Sequence, residues 1–105
     1  MRIVLSTAPP EVAPELARAL VEERLAACVN IVPAVRSIYQ WQGELCDDAE
    51  ALLVAKTSAA RVPALTERLV ELHPYDVPEI IAVALAPGEG NAAYLEWVAE
   101  GVKER

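Results

Sequence analysis

Residues 25–57, LAACVNIVPAVRSIYQWQGELCDDAEALLVAKT, fill nearly a third of a 105-residue chain and restrict its fold more than any other stretch. Residues 25–42 are too rich in β-branched and aromatic side chains for a helix, and Pro33 would break one. Gln42-Gly43 reads as a tight turn, after which residues 44–57 return, acidic at first and apolar at the end. The segment is therefore a long β-hairpin with a half-polar tip. Pro33 cannot donate to a ladder, so it implies a bulge or a break in pairing. At ~3.3 Å per residue, a strand of roughly fourteen residues reaches over ~40 Å. A domain of this size has a radius of gyration of only about 13 Å. The tip must overhang, and open strand edges on an overhang tend to find a neighbour's edge.

The rest of the chain supplies a small scaffold for that hairpin. RIVLST (2–7) is a short branched run read as a buried strand. Pro9-Pro10 ends it and opens a helix to about Arg24, with Val12, Leu16, Ala19 and Leu20 on one face. Ser58 is a candidate N-cap for a second helix, regular from near Val62, with Val62, Leu65, Leu69 and Leu72 along its apolar stripe. His73-Pro74 stops it. PEIIAVALAP (78–87) reads as a strand buried on both faces. Asn91 caps a last helix with Leu95, Val98 and Val102 on its apolar edge. The order βαββαβ plus one appended helix predicts a single α+β domain over 1–105. Its form is ferredoxin-like: an antiparallel sheet with two helices on one face.

Net charge is −7 and the nine Lys and Arg residues are scattered singly, which argues against nucleic acid. The longest apolar run, IIAVALA, is far short of the ~20 residues of a membrane span. The first residues lack the marks of a secretory signal, so a cytoplasmic protein is expected. Hydrophobic residues make up 54% of the chain. Part of that is alanine, and the surplus implies apolar surface buried between subunits. Cys28 and Cys46 would lie more than ~30 Å apart along such a hairpin, beyond the ~7 Å that a disulfide spans. They are expected to be free thiols.

HPYDVPEI (73–80) carries the only histidine, between a helix and a strand and beside two prolines. One reading makes His73 a structural cap on helix carbonyls. The other offers one imidazole nitrogen to a metal, with Cys28 as a second donor or symmetry supplying copies. The candidate metal ligands are thus His73 and Cys28, although Cys28 also fits as a small buried hydrophobe. Glu50 and Lys56 share one strand at even spacing and so one face. They form either an ion pair or, with Trp41, Tyr39, Tyr75 and Glu79, a polar cleft for a small molecule. Asp47, Asp48 and Glu50 lack any EF-hand spacing and read as a solvated flank. GEGN (88–91) is too short for a phosphate loop, and no serine or acid pair has a catalytic setting. No enzyme and no tightly bound cofactor is expected.

ALVEERLAACVNIVP (19–33), SIYQWQGEL (37–45), EALLVAKT (50–57), HPYDVPEIIAV (73–83) and YLEWV (94–98) together resemble the CutA family, the divalent-cation tolerance proteins. The similarity runs through almost the whole chain at consistent spacing. It implies a ferredoxin-like homotrimer whose hairpins extend neighbouring sheets, and a role in tolerance of divalent metals, copper above all. It also implies a copper ligand at His73. Cysteines that some relatives carry in the first strand and the second helix are replaced here by Ser6 and Arg68, which weakens a thiol-rich site. Two other functions stay open: a metabolite sensor of the PII type, binding at subunit clefts, and a scaffold that only trimerises.

Overall fold

A computed structural model describes residues 1–104. Four strands, β1 (Arg2–Ala8), β2 (Cys28–Trp41), β3 (Glu44–Thr57) and β4 (Ile81–Ala84), form one antiparallel sheet in the order β2-β3-β1-β4. Helices α1 (Ala13–Glu22) and α2 (Val62–Leu72) cover one face. This is the ferredoxin-like arrangement that the element order predicts. Val4 of β1 and Leu53 of β3 meet Leu20 of α1 and Leu65 and Leu69 of α2 in a closed apolar core. A third helix, α3 (Ala92–Gly101), buries Val98 and ends beside Val102. Asn91 caps α3 by accepting the Ala93 N–H at 3.1 Å, as its sequence position suggests.

Local chemistry sets the helix ends. α1 opens with Pro14 in its first turn rather than with Pro9-Pro10, since a missing N–H costs nothing there. It stops at Glu22, two residues early, because Arg24 turns left-handed at φ 60°. The Leu25 N–H then reaches Leu20 O at 2.9 Å and the Arg24 N–H reaches Val21 O at 3.0 Å, a Schellman motif. The Arg24 guanidinium also donates to Glu100 O and Lys103 O, tying the end of α1 to the end of α3. Ser58 makes no side-chain cap. A 3₁₀ turn over Ala59–Arg61 intervenes before α2, where Pro63 occupies the first turn.

The hairpin turns at Gln42-Gly43, both with positive φ, the geometry of a two-residue type I′ connection. Only residues 51–57 of β3 pair with β1, so residues 44–50 project with β2 as a two-stranded ribbon. That overhang is about 23 Å at ~3.3 Å per residue and draws the long axis out to 44 Å. The ladder between β2 and β3 slips between Val32 and Val35, the bulge that Pro33 implies. β4 corrects the sequence reading. It is only four residues long and all four are exposed, Ile81 and Val83 about half so on the face away from the helices. It is an edge strand, paired only with β1, rather than a strand covered on both faces.

Candidate functional site

Directly paired residues share a face of a sheet. On the face away from the helices lie Cys28, Asn30 and Val32 of β2, opposite Lys56, Val54 and Leu52 of β3. Without the bulge, Ala34, Arg36, Ile38 and Gln40 would continue that face. The extra residue inverts the alternation. Val35, Ser37, Tyr39 and Trp41 now stand opposite Glu50, Asp48, Cys46 and Glu44. Pro33 thereby turns two aromatic rings to the same side as Glu50.

The connection over residues 73–79 closes this region from the other side. His73 is buried, and both its nitrogens are engaged. The Tyr75 backbone N–H donates to Nδ1 at 3.1 Å, so Nε2 carries the hydrogen and donates to Thr7 O at 2.8 Å. Pairing of β1 with β4 ends at Leu5 and Ile81, so the imidazole takes the place of a ladder partner for Thr7. Latched there, the connection brings the Tyr75 hydroxyl to donate to Glu50 Oε2 at 2.8 Å. Burial first, and then the bond to Glu50, raises the Tyr75 pKa. Tyr39 donates to Asp48 Oδ2 at 2.5 Å, and chiefly for that reason its phenol is pushed up to about 12. Both phenols keep their protons at neutral pH and point them at carboxylates.

The result is a cleft of about 710 Å³ lined by Tyr39, Trp41, Glu50, Tyr75, Asp76 and Glu79 among others. Trp41, Glu50, Tyr75 and Glu79 are gathered there as the sequence suggests. Lys56 is not. It lies six positions from Glu50 on β3, about 20 Å away, where its ammonium donates to Asn30 Oδ1 and to Cys28 Sγ. The proposed Glu50–Lys56 ion pair therefore does not form within the chain. Glu50 is also no part of a solvated flank, being only 6% exposed. Asp76, which also lines the cleft, was not singled out. Its place follows only from the path of the connection after α2.

Cys28 and His73 do not meet. Cys28 is on the rung of Lys56 and Ile3, whereas His73 contacts Thr7, four residues further along β1 and about 13 Å away along the strand alone. Among the described residues no group of three or more His, Cys, Asp or Glu could hold a metal ion. Both thiols are free. No helix among these residues is long and apolar enough to cross a membrane.

A βαββαβ sheet with an overhanging hairpin and an aromatic–acidic cleft beneath it makes this a ferredoxin-like α+β protein. Within that class the chain belongs to the CutA1 divalent ion tolerance protein family, whose model matches residues 2–101. It is 58% identical over 99 residues to the divalent-cation tolerance protein CutA of Thermus thermophilus, covering 93% of this chain and 94% of that one. It is 52% identical to the mouse protein CutA over 93 residues, 88% of this chain. The chain spans about half, 51%, of that mouse protein. Its structure resembles the PII-like protein CutA from Nostoc in apo form with a TM-score of 0.93, at 39% identity and 98% coverage of both chains. The Thermus thermophilus divalent cation tolerance protein gives 0.91 at 54% identity, covering 98% of this chain and all of that one.

Proposed function

We propose that this chain is the protomer of a homotrimer that serves divalent-cation tolerance by binding rather than by catalysis. The observation that carries this reading is the uncovered sheet face. Ile81, Val83 and Val32 are 52%, 49% and 40% exposed there, and Leu52 and Val54 lie between them. An apolar sheet face without a covering layer calls for a partner. The unpaired edge of the overhang offers the means of joining one. Family resemblance supplies the threefold number. Two unpaired thiols suit a reducing compartment, and the cytoplasm is the location we assign. Relatives from Oryza sativa and Arabidopsis thaliana are nonetheless named chloroplastic.

A divalent ion such as Cu²⁺ is held weakly in this reading, by donors pooled from separate copies, because no adequate set gathers among the described residues of one chain. Cys28, on the open face, is available to such a set. His73 joins one only by giving up its bond to Thr7 or to Tyr75. Calorimetric titration with Cu²⁺ is expected to lose affinity in Cys28→Ser and to keep its stoichiometry in His73→Ala. Unchanged binding in both variants removes these ligands while leaving the oligomer intact. A second reading, a small-molecule sensor, is favoured by the size of the cleft, which falls in the ~300–1,000 Å³ range of ligand sites.

A further inference from the structure

We propose that the cleft beneath the overhang binds a small organic cation: an alkylammonium whose N–H groups meet Glu50 and whose second positive charge meets Asp76 and Glu79. The inference rests on the cleft being a ligand site and adds the chemical class of the ligand.

Charge supports it first. Glu50, Asp76 and Glu79 line the cleft, Asp48 stands behind Tyr39, and no Lys, Arg or His is among the lining residues. The nearest cation along the ribbon, Arg36, is on the opposite face and donates to both oxygens of Asp47 at 2.8 and 2.7 Å. An anionic ligand such as a nucleotide phosphate would meet only like charge.

Hydrogen bonding narrows the class. Both phenol protons are committed to carboxylates, so the Tyr39 and Tyr75 oxygens are left only as acceptors. Glu50 is 6% exposed, yet its Oε1 takes no donor among the described residues. That oxygen is left to accept from a ligand in the cleft. The lining offers neutral donors, in Trp41, Ser37 and Thr7, but no positive charge, which an ammonium group supplies together with N–H groups for the carboxylates.

Shape excludes a bare metal ion. A hard divalent cation needs six or more oxygens drawn in to about 2.0–2.6 Å, and the acids here do not converge in that way. The walls are instead the rings of Trp41, Tyr39 and Tyr75. Aromatic faces attract organic ammonium groups and pack against an aliphatic chain. Glu50 is deep while Asp76 and Glu79 are exposed at the rim, so negative charge sits at both ends of an apolar middle.

The test uses the full chain in its native assembly at low salt. Four probes of similar length are titrated by calorimetry: 1,4-diaminobutane, butylamine, 1,4-butanediol and succinate. Trp41 fluorescence in a Trp97→Phe background reports occupancy of the cleft. Saturable binding of 1,4-diaminobutane, weaker binding of butylamine and none of the diol or diacid is the expected result. Glu50→Gln is expected to weaken the diamine about tenfold or more, with smaller losses for Asp76→Asn and Glu79→Gln. The glutamine keeps an acceptor for Tyr75, and ligand-free melting checks its fold. Should it fail to fold, the rim variants and the Trp41 signal carry the test. Equal binding of the diol or succinate, or displacement of the diamine by equimolar Mg²⁺, overturns the organic-cation class but leaves the cleft as a site. Silence from all four probes overturns both.

Discussion

His73 and Ser6 are both buried polar residues in β1 or against it, and their energetics differ in sign. The imidazole serves a donor and an acceptor at once, Tyr75 N–H and Thr7 O. Truncation in His73→Ala leaves both backbone groups without a partner. It is expected to lower stability by about 1–3 kcal/mol in denaturant unfolding, with little change in Cu²⁺ stoichiometry. The Ser6 hydroxyl, on a residue 1% exposed, has no hydrogen-bond partner among the described residues. Ser6→Ala is therefore expected to be neutral or to stabilise by up to about 1 kcal/mol. A marked loss in the same measurement would reveal a partner for the hydroxyl. The sequence offered both the capping and the metal-binding reading for the lone histidine. It could not distinguish them, because the deciding partner, Thr7 O, is a backbone atom 66 positions away.

At the scale of elements, the hairpin shows how a few residues position many. Gln42-Gly43 sets the turn, Pro33 sets the bulge, and together they decide which side chains of residues 35–41 face Glu50. Gly43 has φ 82° and open space around its missing Cβ, so any penalty for a side chain there comes from the backbone alone. Gly43→Val is expected to cost about 1–2 kcal/mol. The loss should appear as faster amide exchange in the overhang, while the core strands β1 and β3 keep their protection. Turn, bulge, the start of α2 and the cap of α3 were legible because each is fixed by one residue's own conformational limits. The early end of α1 was not, since arginine seldom adopts positive φ. Here a Schellman motif and the bonds from its guanidinium to the end of α3 hold it there. β4 was misjudged because a run of apolar residues does not say whether any layer of its own chain will cover it.

At the scale of the whole molecule, the decisive features are an extended ribbon and a bare apolar sheet face. Val54 is central to that face, paired with Leu5 on one side and Asn30 on the other. A charge there would be desolvated by any covering subunit. Val54→Asp is expected to lower the sedimentation mass from trimer to monomer at micromolar concentration while the chain keeps its helix and sheet content. A wild-type chain that sediments as a monomer would sink the trimer outright.

The sequence by itself determined the order of elements, the length and turn of the hairpin and the kink at Pro33. Each of these follows from local sterics or from side-chain periodicity over a few residues. It also fixed the acidic charge and the shortage of cations near residues 44–50. Only the tertiary structure decided that Lys56 stands far from the cleft and that Glu50 bonds Tyr75. It also decided that Cys28 and His73 occupy different ends of the sheet. Those outcomes depend on which strand lies beside which and on the path of the connection after α2. Both are set by packing the whole core, which no short stretch of sequence encodes.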